Sequence, residues 1–308
     1  VNDVLIFVNP IAGRGKGKAI ASRISRALSR AGMTPRVMSK AAHQLADTEL
    51  LGESPATAMI SIGGDGTLRG AVERMLTFSG GDASNVPPVL VVPLGTANLM
   101  SRHLGLAWDE PSIGRQVVEA ITNRQIMQLD AARANDRLFL LMAGVGIDAA
   151  VVHELDRIRN GPIDLTSYAL PAVLALHKYD YPSLTVEIDG NVVFKNEPAM
   201  AFVGNAPEYG TGFPILSQAR SDDGMLDVCV LPCRSHRHIV RLLMAVVAGD
   251  HIHQEGVVYA KAKSIRITSP QQVPVQIDGD ASGHTPLEID LLPKRLAFIV
   301  TTQVSGRQ

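Results

Sequence analysis

Apolar and polar positions alternate in two different textures along this chain. Up to about Thr122, short continuous apolar runs give way to glycine-bearing polar loops and then to helical stripes. Val4–Val8, Ala58–Ile60 and Val89–Val92 are the runs, in the pattern of strands buried on both faces of a parallel sheet. Each ends in a loop: Asn9–Lys18, Ser61–Thr67 and Pro93–Asn98. Helices are predicted at Ala19–Ala31, Leu68–Phe78, Leu99–Leu104 and Ser112–Thr122. The first has an apolar stripe of Ile20, Ile24, Ala27, Leu28 and Ala31, with Arg23, Arg26 and Arg30 on the far side. It stops at Gly32. A short strand, Arg36–Met38, ends at Ser39, and a helix is expected around His43–Ala46.

After about Gln128 strand signals dominate. Val186–Val193 reads as a hairpin turning at Asp189-Gly190. Met200–Val203, Leu226–Val230, Ser264–Ile267 and Leu287–Asp290 read as strands. Helical segments interrupt them near Asp164–Tyr179 and His236–Ala248. The prediction is an α/β domain with a parallel sheet over 1–128 and a mostly antiparallel, β-rich domain over 129–308. The last strand is a candidate to return to the first domain.

Composition narrows the function. Apolar residues make up 46% of the 308, enough for a sizeable core, and two domains suit that length. A net charge of −1 and 4% aromatics argue against a nucleic-acid partner. Cys229 and Cys233 lack further ligands at zinc spacing, so free thiols are expected. No apolar run reaches the ~18 residues of a membrane span, and Val4–Val8 is too short for a signal-peptide core. The expectation is a cytoplasmic protein without stable membrane insertion. His236-x-His238 and His251-x-His253 flank an apolar helix without carboxylate or Cys partners, and are expected to be surface histidines.

Ser61-Ile62-Gly63-Gly64-Asp65-Gly66-Thr67 carries the densest chemistry. A helix N-terminus after glycines suits phosphate, through its unpaired N–H groups and partial positive charge. Asp65 would repel a bare phosphate. It makes sense if the phosphate arrives with a metal cation, or if the carboxylate takes a proton. The alternative is a plain Gly/Asp turn. Loops after parallel strands emerge at one edge of the sheet, so Asn9, Asp65 and Thr96 are expected to meet in one cleft.

Asn9-Pro10 with Gly13, Gly63–Thr67 and Pro93–Asn98 resemble the diacylglycerol kinase catalytic-domain family, which includes bacterial lipid kinases and sphingosine kinases. Leu129-Asp130, Gly144–Asp148, Asp222–Leu226 and Ile277–Asp280 match further along, in family order. The resemblance spans nearly the whole chain. It implies an NAD-kinase/phosphofructokinase-like first domain that binds nucleotide and a second domain for the lipid acceptor. Two departures are Leu99, where the family often has Asp, and Asp280, where it has Glu.

The resemblance implies an ATP- and Mg²⁺-dependent kinase acting on a hydroxyl of a diacylglycerol-like or sphingoid-like lipid. The acceptor would be met in transient contact at the membrane surface, the protein being peripheral and a homodimer conceivable. Asn9, Ser39, Gly63, Gly64, Asp65, Gly66, Thr67, Thr96 and Asn98 would face the nucleotide, with Arg14, Lys16 and Lys18 as steering charges. Asp65 and Asp130 would serve Mg²⁺. A second, structural metal would take Asp223 and the main-chain carbonyls of Arg220 and Met225, although Asp222–Met225 also spells a plain β-turn. Asp280 would be the general base, with Asp65 as runner-up, although Asp278-Gly279 spells the same turn as Asp189-Gly190. The apolar segment Tyr168–Leu176 would either line an acyl-chain site or simply be core. Alternatives are an NAD kinase, which shares Gly-Gly-Asp-Gly-Thr, and a non-catalytic nucleotide-binding regulator.

Overall fold

The structure, a computed structural model, describes residues 2–158, 169–177, 179–208 and 212–301. The chain divides into two compact units, Val1–Leu129 with Lys294–Gln308, and Asp130–Pro293.

In the first unit, β1 (Asp3–Val8) runs through a helical turn, α1 (Ala12–Gly15), into α2 (Gly17–Arg30). Then come β2 (Thr34–Met38), α3 (Asp47–Leu50), β3 (Ala58–Gly63), α4 (Asp65–Phe78), β4 (Val89–Pro93), α5 (Leu99–His103), α6 (Ile113–Asn123) and β5 (Gln125–Leu129). The sheet order is β2-β1-β3-β4, then the strand Leu296–Val300, then β5. All pairings are parallel except that of β5. Val4, Ile6 and Val8 share one face and pack with Ile20, Ile24 and Leu28 of α2 and with Ile113 and Val117 of α6. β1 is buried at every position, with alternate side chains on opposite faces of the sheet, while α2 and α6 bury one 3.6-period stripe each. Gly32, at φ 78°, ends α2, and the Met33 amide donates to the Leu28 carbonyl at 3.0 Å. The helix expected around His43 is instead a 3₁₀ turn, Ala42–Gln44, followed by α3.

The second unit comprises β6 (Ala132–Ala134), β7 (Arg137–Phe139), β8 (Met142–Val145), α7 (Ile147–Ile158), α8 (Ala169–His177), β9 (Ser183–Ile188) and β10 (Asn191–Gly204). It continues with β11 (Leu226–Pro232), α9 (His236–Ala248), β12 (Val258–Ala262), β13 (Ser264–Thr268), β14 (Pro274–Ile277), β15 (Asp280–His284) and β16 (Leu287–Leu291). Leu296–Val300 is β17. The strands of this unit pair antiparallel throughout, in the order β15-β14-β8-β10-β9-β13-β16-β6-β7, with β11 beside β10 and β12 beside β11. The predicted hairpin arm and the separately predicted strand Met200–Val203 form one strand, β10. Register shifts around Phe194 absorb the polar stretch Lys195–Glu197, which hides the continuity in sequence.

Strand alternation makes two cores. Ala199, Ala201 and Val203 of β10 face one cluster with Val228 and Val230. Met200 and Phe202 face another with Cys229, Leu231 and the helical residues Ile147, Ile239, Leu242 and Val246. Of the segment predicted as helical from Asp164, only Ala169–His177 is described as α8; Tyr168 lies outside the described residues.

Candidate active site

β1, β3 and β4 are neighbours, so the loops that leave their carboxyl ends adjoin. The ladder runs past the strand ends: the Asn9 amide donates to the Ile62 carbonyl at 3.0 Å, and the Leu94 amide to the Gly63 carbonyl at 2.8 Å. Asn9 shapes its own loop. Its Oδ1 accepts from the Ile11 amide at 3.2 Å, and its carbonyl from the Ala12 amide at 3.1 Å. Gly13, Arg14 and Gly15 follow in the left-handed region, at φ 58°, 58° and 87°.

The second and third loops touch through glycine. A β-carbon on Gly64 would lie 3.2 Å from the Gly95 Cα, and one on Gly95 would lie 2.6 Å from the Gly64 Cα. A β-carbon on Gly63 would strike the Thr67 hydroxyl at 2.5 Å, so that glycine makes room for the threonine. Asp65 then clasps the two loops together. Its Oδ2 accepts from the Leu99 amide at 2.9 Å and its Oδ1 from the Met100 amide at 3.1 Å. Those amides open α5, where orphan N–H groups and the helix dipole favour a carboxylate. Asn98, at φ 49°, grips Gly95 with its amide: Oδ1 accepts from the Gly95 N–H at 2.8 Å, and Nδ2 donates to the Gly95 carbonyl at 2.7 Å.

This donor set fits phosphate. The 14-residue α4 points the positive end of its dipole at this loop, and the Thr67 and Thr96 hydroxyls sit on the same two loops. It also fits Mg²⁺. Asp65 presents carboxylate oxygens, the hard ligand type that Mg²⁺ takes. Ser39 is exposed just past the end of β2. Of the loop cations, Lys16 pairs with Glu110 at 3.0 Å, a partner that Arg23 also approaches at 3.7 Å.

Asp130 opens the second unit and is buried. Its Oδ2 accepts from the Gly224 amide at 2.6 Å and its amide donates to the Ser221 carbonyl at 2.7 Å, so it anchors the loop 221–224. Within that loop, Asp223 Oδ1 accepts from the Met225 amide at 3.1 Å, and Arg220 reaches Asp222 at 3.4 Å. Asp223 Oδ2 meets the Lys261 ammonium at 2.8 Å, and the same ammonium meets the buried Asp227 at 2.9 Å. A resident cation therefore already stands between these carboxylates. Among the described residues, no group of three or more His, Cys, Asp and Glu is placed to hold a metal ion.

The two similarly spelled turns are geometric twins. Asp278-Gly279 has φ 49° and 82°, and Asp189-Gly190 has φ 47° and 82°. Both are the left-handed pairs that a two-residue hairpin requires. Each leading carboxylate ties a neighbouring segment. Asp189 accepts from the Lys263 and Ser264 amides at 3.1 and 2.9 Å; Asp278 accepts from those of Leu140, Leu141 and Met142 at 3.0, 2.8 and 3.1 Å. Asp280, partly buried, is the first residue of β15 and pairs with Ile277; Asn191 holds the same place opposite Ile188. Buried Gln276 braces the first turn by accepting from the Gly279 amide at 2.9 Å and donating to Asp148 at 3.2 Å.

One histidine departs from the surface expectation. His251 is fully buried, because its Nε2 pairs with the Ile215 carbonyl at 2.8 Å where the chain turns after α9. Cys229 and Cys233 are buried free thiols, whose burial pushes their pKa up to about 12 and about 11. Sequence reasoning missed Leu99, Met100, Gln276, Asp278 and Lys261 as partners. Only Asp278 carried a local signal, the Asp-Gly turn spelling.

Residues 3–134 match the model of the diacylglycerol kinase catalytic domain, and residues 142–300 that of the YegS C-terminal NAD kinase beta sandwich-like domain. A diacylglycerol kinase of Mycobacterium tuberculosis is 25% identical over 306 residues, which is 97% of this chain and 95% of that one. An uncharacterized protein of Synechocystis is 25% identical over 251 residues, 80% of this chain; the match spans 55% of that relative's length. Among solved structures, a diacylglycerol kinase from Bacillus anthracis aligns with TM-score 0.70 at 25% identity, over 98% of both chains. An NAD kinase from Archaeoglobus fulgidus in complex with ATP aligns with TM-score 0.55 at 12% identity, over 98% of this chain and 95% of that one; the two share a fold.

Proposed function

This chain belongs to the family that joins a diacylglycerol kinase catalytic domain to a YegS C-terminal NAD kinase beta sandwich-like domain, and from that premise we propose that it transfers the γ-phosphoryl group of ATP to a hydroxyl of a diacylglycerol-like or sphingoid-like lipid. Membership puts it among kinases. The observation that carries the nucleotide half of the proposal is the clasp of Asp65 on the Leu99 and Met100 amides, over the Gly64–Gly95 contact. It fixes two phosphate-suited loops side by side, and phosphoryl transfer asks a protein chiefly for such positioning.

In this reading the α4 N-terminus, Asn9, Thr67 and Thr96 hold the phosphates. Asp65 would hold Mg²⁺, which would offset phosphate charge. The acceptor oxygen bonds to the γ-phosphorus, the bond from that phosphorus to the bridging oxygen breaks, and ADP leaves. Asp280 takes the hydroxyl proton. The choice of Asp280 rests on its family match and on Asp278 being committed to three main-chain amides. The lipid is met at a membrane surface: among the described residues, no helix is long and apolar enough to cross one.

Labelled ATP should be offered with diacylglycerol or sphingoid bases in mixed micelles, and in parallel with NAD. Labelled lipid phosphate and unlabelled NAD are expected. Label on NAD alone would replace the reading with an NAD kinase, and label on no acceptor would overturn it.

A further inference from the structure

α9 carries two apolar stripes where a surface helix ordinarily carries one. Ile239, Leu242 and Val246 are buried in the second unit's core. Val240, Leu243, Met244 and Val247 repeat the i, i+3, i+4, i+7 spacing one step around the helix, and are 56%, 44%, 62% and 69% exposed. With Ala248 they line a shallow groove that is almost wholly apolar.

The charges that α9 itself carries have one sign; Asp250 is the first acid beyond its end and accepts from Gln254, which Arg241 reaches at 3.5 Å. From Arg234 to Gly249 there is no acidic residue. At 100° per residue, Arg237 and Arg241 fall on the flank of the outer stripe opposite the buried one, and both are exposed. An interfacial helix has this distribution: apolar side chains enter the boundary between headgroups and acyl chains, while arginines extend to anionic headgroups.

We propose that the outer stripe of α9 docks this chain on an anionic lipid bilayer, with Val240, Leu243, Met244 and Val247 entering the interface and Arg237 and Arg241 meeting the headgroups. A second copy of the chain suits the stripe poorly. A two-fold contact through α9 would bring the arginines of both copies to one helix–helix seam, and the helix offers no acid to pair them. An anionic surface supplies the missing complement, and it leaves reversible rather than permanent attachment, since the stripe occupies one short helix. The proposal concerns binding alone and does not depend on the kinase reading.

Flotation with phosphatidylcholine–phosphatidylglycerol vesicles, and with phosphatidylcholine alone, tests it. The wild type should bind the anionic vesicles and dissociate at high salt. Leu243→Ser/Met244→Ser/Val247→Ser should bind at least about tenfold more weakly, with the far-UV CD and melting temperature unchanged because the positions are exposed. Arg237→Gln/Arg241→Gln should lose about tenfold on anionic vesicles and little on neutral ones. Two results overturn the proposal. One is wild-type binding to anionic vesicles by both variants. The other is a wild-type dimer that the serine variant converts to monomer while its vesicle binding stays intact, which assigns the stripe to a second copy. Because no turnover is measured, failure here leaves the kinase reading standing, and failure of the kinase assay leaves this one.

Discussion

Gly64 and Gly95 meet backbone to backbone, so close that a side chain on Gly95 would clash outright and one on Gly64 would be tight. Gly95→Ala would place its methyl carbon 2.6 Å from the Gly64 Cα and 2.9 Å from the Asn98 Oδ1. Both neighbours are held: one by the strand it leaves, the other by its two hydrogen bonds to Gly95 itself. The variant should lose about 1–3 kcal/mol of stability, the cost of overpacking, and bind ATP more weakly. Thermal melting and calorimetric titration with ATP check this; wild-type values in both would show that the loops are free to part.

Asp65→Asn keeps the shape of the clasp and removes half of its acceptor capacity. An amide can accept from only one of the Leu99 and Met100 N–H groups, and its NH₂ would face the other. A loss of about 1–3 kcal/mol is expected, together with loss of phosphoryl transfer. Melting and turnover should be measured on the same preparation. Near-normal turnover in the folded variant removes Asp65 from both proposed roles, metal partner and substitute base.

Asp280→Asn and Asn191→Ala form a matched pair, since the two residues follow turns of the same conformation. If Asp280 takes the acceptor proton, its amide variant should lose about 10²–10⁴-fold in both kcat and kcat/KM. ATP affinity and melting temperature should barely move. Asn191→Ala should leave turnover alone. Similar mild effects in both variants would reduce Asp280 to turn chemistry.

Lys261 gives a pH signature. Burial pulls its ammonium pKa down, but the bonds to Asp223 and Asp227 outweigh that and hold it above the ordinary 10.5. A folded-state pKa raised in this way means that the contribution is complete below the unfolded value and is lost as pH climbs through the folded one. Wild-type stability should therefore decline on the alkaline side, and Lys261→Met should flatten that limb. At neutral pH the variant should lose about 1–3 kcal/mol, since among the described residues buried Asp227 is left with the Tyr259 hydroxyl; the figure is held down because the Lys261 side chain is 36% exposed. Equal alkaline slopes for the two proteins would assign the decline to other groups.

The parts of this site that sequence revealed are the parts built from near neighbours. The step from apolar run to glycine loop to helix located the carboxyl ends of β1, β3 and β4, because strand burial, turn and helix start are each written within a few residues. α9 was legible to its ends, having Ser235 as its cap and Gly249, at φ 73°, as its stop. What escaped were the partners. Asp65 and Leu99 are thirty-four positions apart and Asp278 and Leu140 are one hundred and thirty-eight, and no periodicity encodes such pairs. α7 is hidden in sequence because its first turn overlaps the glycine-bearing stretch Gly144–Asp148, although Ala149, Val152 and Leu155 keep a helical stripe. β8, only four residues long, offers too little alternation to read.

β17 lies between β4 and β5, parallel to the first and antiparallel to the second. All of Asp130–Pro293 is translated after β5 and before this strand. While the ribosome makes that stretch, the nascent first unit has β4 as an unpaired edge and β5 without its neighbour, an arrangement prone to off-pathway strand pairing. A fragment ending at Leu129 would stay in that condition permanently. The chain begins its first unit before its second and finishes it after.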